Sequence, residues 1–417
     1  MKRKRKVRKH DIHEIVLKEF KGLDTEKMIL ILEETYNKKV SLGLQLKRFI
    51  NSRWHDRYEY GHIKTQGNKF IAFYSDFYYR EDHLKIFNDF IQEFPAFDYV
   101  KPIKLPKERV NLRRGLKMLK WDVRNLWRLR RIDMEFRYRV YWIRVLGLIT
   151  LYYYNMSKLL DKESYTFGLV YNDSNPYENI LVQLMKKKGI HTATLQHGLF
   201  DKRGYWKGIE FRASVADDWL AWNPYSKELG IECGVSEDKI KILGIPRYIN
   251  PIHINKKRES RIFSVILGEK ALMKENRELI EFANLLSKDY GLKYYLRYHP
   301  TCKHDEYDPF IDKEYCIPGG EEREEVSRMC EKTDFSLIGS GTSMVIDLIY
   351  LNHPFFQYYR QWDGYRYKKR DNYFRDYPEL KRQVSKKESL LNEEIFYYYC
   401  FTRDVKQSYT HYFDSIN

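Results

Sequence analysis

Small, flexible residues interrupt the stretch DFSLIGSGTSMVIDL between an apolar run and an amphipathic run; they are Gly339, Ser340, Gly341, Thr342 and Ser343. Glycine lets a backbone turn tightly and approach a ligand without a Cβ in the way, while Ser and Thr can cap the helix that follows. The free N–H groups and positive dipole end of such a helix suit a phosphate group. We therefore predict a donor phosphate-binding loop, with an ordinary capped glycine turn as the alternative. No Gly-Lys-Ser/Thr follows, so the loop is not of the Walker type.

Two further segments of the same half carry side chains suited to phosphate. LRYHP places Arg297 and His299 at the end of an apolar strand pattern, where the guanidinium can neutralise charge and the imidazole can donate to a phosphate oxygen or a leaving diphosphate. ILGEK offers Gly268, Glu269 and Lys270 at the end of another such pattern. A single His is more often structural, so its position beside a second phosphate-suited loop is what favours binding. We predict that these residues line the donor site.

The first half of the chain offers a candidate general base. TLQHGLF places His197 at a strand end, between Gln196 and Gly198, and the glycine would allow close approach of a substrate. A histidine with a near-neutral pKa in a cleft can take the proton of an acceptor hydroxyl. Asp173, at the end of the neighbouring strand, is the alternative base, although it is also placed to cap the helix that starts near Pro176. These residues form the predicted acceptor side.

Arg247, in LGIPRY, ends the last strand pattern before a basic, unpatterned segment and is predicted to face the donor.

Metal-binding and nucleophile motifs are missing from the sequence, which contains no D-x-D, HExxH, GxSxG or Cys/His metal spacing. A metal-independent group transfer, with no cofactor besides an activated donor, is the better fit. The scattered cysteines indicate reduced thiols and a cytosolic compartment; they are Cys233, Cys302, Cys316, Cys330 and Cys400.

Strand and helix patterns alternate on both sides of this basic segment. Such alternation is typical of parallel, doubly wound sheets, whose ligands bind at the carboxyl ends of the strands. The sequence therefore predicts an α/β protein with two Rossmann-like domains that face a central cleft. The first domain covers residues 1–250, the linker 251–260, and the second domain 261–417 with a C-terminal tail. Most of the first 60 residues are predicted to be helical, and a basic helical insertion covers about 107–158.

The net charge of +17 requires an anionic partner, and much of the basic excess lies in two places. Seven of the first ten residues are Lys or Arg, which is typical of a disordered tail or an anchor. The second place is a predicted helix with two stripes. One is apolar, and the other, about 100° around the helix, is basic. The apolar stripe consists of Leu112, Leu116, Leu119, Val123 and Leu126; the basic stripe consists of Arg113, Lys117, Lys120, Arg124, Arg128 and Arg131.

Three interpretations of this helix remain open. Trp121, Trp127 and Trp142 lie among its charges and in the next segment, as in helices that rest on an anionic membrane. Alternatively the leucines pack into the core, or the basic stripe guides an acidic polymer. Nucleic acid is disfavoured because no zinc finger, RRM signature or basic zipper accompanies the charge. We find no signal peptide, and VLGLITLYYY is too short to span a bilayer; the protein is expected to be soluble or peripheral.

LQHG, LGIPRY, YHP and GSGTSMVIDLIYLNHP, in this order and spacing, resemble two-domain GT-B transferases of bacterial surface-polysaccharide assembly. The pattern is similar to the CDP-glycerol-type glycerophosphotransferases of teichoic acid synthesis and to the bacterial sialyl, polysialyl and Kdo-type transferases of capsules. Both resemblances imply a cytidine nucleotide as part of the donor. They cover roughly residues 160–360, whereas the first 150 residues match no family.

The resemblance implies roles for individual residues. His299, with Ser340, Thr342 and Ser343, would hold the donor phosphate or diphosphate, and His197 would be the base near the acceptor. Arg247 matches the arginine of the glycerophosphotransferase G-x-PR segment, although Tyr248 and Ile249 replace its usual Asn-Asp continuation. In sialyltransferases the base is instead an acidic residue of the first domain; the candidates for it are Asp173, Asp217 and Asp218.

From these observations we expect a glycosyltransferase at the cytoplasmic membrane face that transfers a sugar or polyol phosphate from a nucleotide-activated donor. The acceptor would be a lipid-linked or polymeric glycan, and the anionic membrane surface a second partner. The alternatives are a CDP-polyol phosphotransferase of the teichoic-acid type, a nucleotide-sugar 2-epimerase, and a non-catalytic protein that binds an anionic polymer. The sequence specifies neither the sugar, the linkage, the stereochemical course nor the oligomeric state.

Overall fold

The computed structural model describes residues 20, 22–28, 41–64, 69–76, 80–110, 112–130, 132, 135–199, 209–252, 254, 260–317, 326–340, 342–359, 372–386 and 392–416. These residues form two sheets, each carried by one half of the chain. Gly341, Arg131, residues 1–19 and most of the predicted linker lie outside the described residues.

The first sheet has seven strands in the order β1-β3-β2-β4-β5-β6-β7, all parallel except β1, which runs antiparallel to β3. They are β1 (His55–Ile63), β2 (Phe70–Phe73), β3 (Phe97–Val110), β4 (Phe167–Val170), β5 (His191–Leu195), β6 (Asp218–Ala221) and β7 (Ile240–Ile242). Its helices are α1 (Leu42–Trp54), α2 (Glu81–Gln92), α3 (Leu112–Leu129), α4 (Phe136–Leu160), α5 (Pro176–Lys187), α6 (Ile209–Ala213) and α7 (Pro224–Glu232). All four residues of β4 are buried, as expected for a central parallel strand.

The second sheet has six parallel strands in the order β10-β9-β8-β11-β12-β13. They are β8 (Ile262–Ile266), β9 (Lys293–Arg297), β10 (Cys316–Ile317), β11 (Ser336–Ile338), β12 (Phe355–Tyr358) and β13 (Tyr373–Phe374). The helices are α8 (Met273–Tyr290), α9 (Val326–Lys332), α10 (Met344–Tyr350), α11 (Tyr377–Lys386), α12 (Glu393–Cys400) and α13 (Val405–Asp414). The predicted two Rossmann-like domains are therefore confirmed.

The last helices of the chain return to the first domain. The rings of Tyr409 and Phe90 lie 4.7 Å apart, and Phe413 packs 5.0 Å from Phe94 and 5.1 Å from Phe97. The Tyr412 hydroxyl donates to Asp218 at 2.7 Å. Residues predicted as the tail of the second domain thus contribute to the core beneath the first sheet.

Two local predictions differ from the structure. His55–Ile63, within a stretch predicted to be mostly helical, is the antiparallel edge strand β1, because its partner β3 lies more than thirty residues further along the chain and leaves no local signal. Trp142, grouped with the surface tryptophans, is fully buried against the first sheet, whereas Trp127 is 50% exposed. All five cysteines lie in the described part of the chain, and none of them forms a disulfide.

Candidate functional site

The predicted site residues follow the carboxyl ends of strands in both sheets. In the first domain Asp173 follows β4, His197 follows β5 and Arg247 follows β7. In the second domain Gly268 follows β8, His299 follows β9, and the glycine-serine loop follows β11. This is the edge at which parallel sheets of this kind bind ligands.

Three aromatic rings form a cluster at this edge of the first domain. The ring centroid of His197 lies 6.3 Å from that of His83 and 6.3 Å from that of Tyr171, and His83 and Tyr171 are 5.4 Å apart. Burial lowers the pKa of His197 to about 3, with further contributions from His83 and Arg80. Burial, with Arg80, likewise lowers the pKa of His83 to about 4. Both imidazoles are therefore neutral at physiological pH and can accept a proton.

Arg80 connects this cluster to the second domain. It precedes α2, and its guanidinium pairs with Asp82, with Nε 3.1 Å from Oδ1. Burial lowers the pKa of His299, Glu269 opposes that effect, and the positive charge of Arg80 adds to it. The same guanidinium therefore acts on His197 from one domain and on His299 from the other. The positive charge of Arg80 is the smallest of the contributions at each of the two predicted histidines, after burial and a neighbouring side chain.

His299 is oriented by its own turn. Its Nδ1 lies 2.8 Å from the Thr301 hydroxyl oxygen. The same oxygen accepts a hydrogen bond from the Lys270 backbone amide at 3.0 Å. The Lys270 ammonium is bound to Glu306, so its charge is already partly neutralised. Arg297, the last residue of β9, is half-buried.

Arg247 bridges the domains instead of standing alone. Its Nη1 donates to both carboxylate oxygens of Asp347 on α10, at 2.8 and 3.0 Å, and the Tyr248 hydroxyl donates to the same carboxylate. Burial alone would lower the pKa of Arg247, but Asp347 raises it above its usual range. The Tyr248 ring stacks on Tyr350, with centroids 3.6 Å apart. The predicted phosphate ligand thus belongs to a link between the two domains.

Asp173 is occupied by the loop that precedes β6. Its Oδ2 accepts hydrogen bonds from the Ser214 hydroxyl at 2.8 Å and from the amides of Val215 at 2.6 Å and Ala216 at 2.8 Å. Burial raises its pKa, and these donors oppose that effect. Asp173 and His197 nevertheless line one small cavity of about 20 Å³. The structure therefore brings the two candidate bases together, with the carboxylate engaged in holding the loop.

Gln196 fixes the turn that carries His197. Its side-chain amide donates to the Gly198 carbonyl at 2.7 Å and to Ser226 at 2.9 Å, and its Oε1 accepts from the Trp222 amide at 2.8 Å. It is almost fully buried. Gln196 is thus a positioning residue, which ties the ends of β5 and β6 together.

Asp217 and Asp218 lie at the opposite edge of the sheet. Asp218 is the first residue of β6, and its Oδ2 is 2.8 Å from His191 Nε2. Asp217 accepts from Thr192 and pairs with Lys186 at 2.7 Å. Because the amino ends of parallel strands lie away from the ligand edge, the structure does not bring this pair to His197.

The glycine-serine loop packs closely against the loop after β8. A Cβ on Gly268 would lie 2.3 Å from the Ser340 carbonyl oxygen, and a Cβ on Gly339 would lie 2.9 Å from the Gly268 nitrogen. The Ser340 hydroxyl donates to the Tyr358 carbonyl at 3.1 Å, and Thr342 Oγ1 accepts from the Met344 amide at 3.3 Å. These glycines therefore permit backbone-to-backbone contact, while Ser343 is exposed.

Gly268→Ala and Gly198→Ala are expected to differ sharply in stability. The first places a methyl group against backbone, which costs typically about 1–3 kcal/mol of unfolding free energy. A Cβ on Gly198 meets nothing within 4 Å, so Gly198→Ala should change that energy by less than about 0.5 kcal/mol. Urea unfolding of both variants checks this; equal losses would contradict the tight packing at Gly268.

Within the described residues, no cluster of three or more His, Cys, Asp or Glu side chains could hold a metal ion. Among the helices of the described ranges, none is both long and apolar enough to cross a membrane. The basic face of α3 is exposed at Arg113, Lys117, Lys120 and Arg124, and partly at Arg128.

No family model and no curated protein matches the chain. Among solved structures, the UDP-GlcNAc 2-epimerase from Methanocaldococcus jannaschii is 13% identical and matches with a TM-score of 0.51 over 83% of this chain and 99% of that one. A putative UDP-N-acetylglucosamine 2-epimerase from Listeria monocytogenes is 9% identical, with a TM-score of 0.51 over 84% and 98%. A glycosyltransferase from Rickettsia africae ESF-5 is 8% identical, with a TM-score of 0.46 over 84% and 99%.

At these identities the likeness shows the fold alone, which is GT-B-like, with two Rossmann-like domains. Sequence reasoning missed Arg80, His83, Tyr171 and Asp347. The first two follow the predicted strand over residues 69–79, so the rule that site residues follow strands could have found them. Asp347 lies inside an apolar helix pattern, where a single carboxylate gives no indication of its partner.

Proposed function

We propose that this protein is a metal-independent GT-B-type glycosyltransferase. It transfers a sugar or polyol phosphate from a nucleotide-activated donor, with cytidine as the expected base. The acceptor is a hydroxyl of a lipid-linked or polymeric glycan at the cytoplasmic face of the membrane. The observation that carries the proposal is that His197 and His299 each follow a strand at the carboxyl edge of their sheet. The positive charge of Arg80 makes a smaller contribution at both histidines.

In this proposal the donor phosphate lies between Arg80 and His299. Both groups can donate charge-assisted or neutral hydrogen bonds to phosphate oxygens. The acceptor oxygen attacks the transferred group, its proton passes to His197, and the bond to the nucleotide phosphate breaks. The phosphate leaves with the electron pair, and its developing charge is stabilised by Arg80 and His299.

Donor binding would also raise the pKa of His197. In the free protein its pKa is lowered to about 3, mainly by burial and then by the charges of His83 and Arg80. A bound phosphate neutralises the charge of Arg80, and a nearby anion raises the pKa of an imidazole. The donor would therefore make His197 a stronger base than it is in the free protein, while the effect of burial remains.

A thermal-shift panel with CMP, CDP, UMP, UDP, GDP and ADP tests the donor site. A ligand at about 100 times its dissociation constant adds roughly 2.7 kcal/mol to stability. We expect a shift with CMP or CDP that His299→Ala abolishes, while His411→Ala, at an exposed position on α13, keeps it. No shift with any nucleotide would refute the donor site and favour binding of an anionic polymer.

A second candidate function is nucleotide-sugar 2-epimerisation, which the fold likeness to two UDP-GlcNAc 2-epimerases favours. A shift with UDP in place of CMP or CDP would remove the cytidine assignment. Incubation with UDP-GlcNAc alone then separates the two reactions. Inversion at C2 without release of UDP supports the epimerase, whereas UDP release that depends on an added glycan supports the transferase.

A further inference from the structure

Helix α3 exposes its apolar stripe to the surroundings and does not pack it into the core. Leucine and valine side chains on this stripe are between 44% and 66% exposed; they are Leu112, Leu116, Leu119, Val123 and Leu126. Trp127, on the same side, is 50% exposed. Isolated exposed leucines are common on proteins, but a continuous helical row of them marks an interaction surface.

A different side of α3 packs against the protein. Gly115, Met118 and Leu129 are buried, together with the polar Asp122 and Asn125. At about 100° per residue, the apolar stripe lies roughly 100° from the packed side and roughly 120° from the basic stripe, and the packed side and the basic stripe lie roughly 140° apart. The helix thus has one side for the protein, one apolar side open to the surroundings, and one basic side.

The neighbouring helix α1 also exposes apolar residues. It packs against α3 and against α4. Leu42, Leu46 and Ile50, spaced four residues apart in one row, are 39–53% exposed. Phe136, which begins α4, is 57% exposed. We call the exposed apolar residues of α1 and α3, with the basic stripe of α3, the insertion face.

Charge decides which occupant fits the insertion face. Arg113, Lys117, Lys120 and Arg124 are exposed along its border, and Lys117 Nζ lies 5.1 Å from the Trp121 ring centroid. A second copy of a chain with a net charge of +17 would bring two basic stripes together, which costs free energy. An anionic bilayer instead offers hydrocarbon to the leucines, head groups to the basic residues and an interfacial region to Trp127.

We propose that the insertion face docks the protein on anionic phospholipid, with α3 lying in the plane of the membrane interface. The apolar stripe enters the acyl boundary and the basic stripe contacts lipid phosphates. The docking proposal rests on the proposed function in one respect only, the location of the acceptor at the membrane. Its test is independent of that function, because lipid binding is measured without any nucleotide or glycan.

Flotation of the full-length protein with vesicles tests this docking. We expect binding to phosphatidylcholine–phosphatidylglycerol vesicles and much weaker binding to phosphatidylcholine alone. Leu116→Gln/Val123→Gln should weaken binding by roughly tenfold or more, because each side chain loses apolar contact on insertion. Lys120→Gln/Arg124→Gln should weaken it similarly at low salt, with a smaller effect at high salt.

Leu285→Gln is the matched control, since Leu285 is 45% exposed on α8 of the second domain and should leave vesicle binding unchanged. All these variants keep residues 1–10, so the basic tail cannot explain a loss. Because the substituted side chains are exposed, unchanged melting temperatures are expected. Wild-type binding that survives Leu116→Gln/Val123→Gln, or no vesicle binding at all, overturns the proposal. A dimer that these substitutions dissociate would identify the face as a protein interface instead.

Discussion

Asp347→Ala is expected to lower the free energy of unfolding by about 3–5 kcal/mol, as is typical when one partner of a buried ion pair is removed. Asp347 is 4% exposed and accepts hydrogen bonds from both Arg247 and Tyr248. Its loss leaves a guanidinium and a buried hydroxyl without their common acceptor. Urea unfolding followed by tryptophan fluorescence measures the change.

Lys381→Ala provides the control for this prediction. Lys381 pairs with Asp289 at 2.6 Å, but both side chains are largely exposed to solvent. Exposed pairs contribute only about 0–1 kcal/mol, so this variant should unfold almost as wild type does. A loss below about 1 kcal/mol for Asp347→Ala would contradict a strong link between the domains. Arg247→Met in the Asp347→Ala background should recover part of the stability, since it removes the unpaired charge.

This ion pair also constrains the site. Arg247 ends the first sheet, whereas Asp347 lies on the helix that follows the glycine-serine loop. The link therefore holds the helix that follows the glycine-serine loop at a defined position relative to the first domain. Both Arg247 and Arg80 donate twice to a carboxylate, but Asp347 is 4% exposed whereas Asp82 is 58% exposed. Because an exposed ion pair is weak, Arg80, with His299, is the better candidate for the phosphate contact.

The sequence predicted the parallel core well because its signals are local. Alternating buried strands and capped helices, from β4 to β12, follow from periodicity and from stops such as Gly291, which ends α8 with φ +61°. The strand-end rule then selected His197 and His299 without any structure. The periodicity of the elements and the strand-end rule depend only on residues that are neighbours along the chain.

Contacts between distant segments could not be predicted in this way. Strand β1 exists because it pairs with β3, and Arg247 binds a carboxylate one hundred residues away. The spacing of leucines on α3 predicts a stripe, but three stripes on one helix leave open which of them packs. Which face of α3 is exposed therefore follows from tertiary packing, which buries Gly115 and Met118, two residues that the leucine spacing does not single out.

The His83→Gln/His197→Gln variant is expected to lose less stability than wild type when the pH falls from about 6.5 to about 4. In the folded protein burial lowers the pKa of His83 to about 4 and that of His197 to about 3, from 6.5. Between these values the unfolded chain binds more protons than the folded one, so acidification favours unfolding. Their contribution to stability is present above pH 6.5 and is lost as the pH falls.

One pKa unit corresponds to about 1.4 kcal/mol, and because both rings are partly exposed we expect a difference of about 2–4 kcal/mol for the pair. Urea unfolding at several pH values, for wild type and variant, measures it. His411→Gln, at an exposed position on α13, should follow the wild-type curve. Parallel curves for wild type and the double variant would mean that folding does not lower the pKa of the two imidazoles. A His197 whose pKa stays near 6.5 would be a better base at neutral pH than one whose pKa is lowered to about 3, so the same measurement also bears on its role as base.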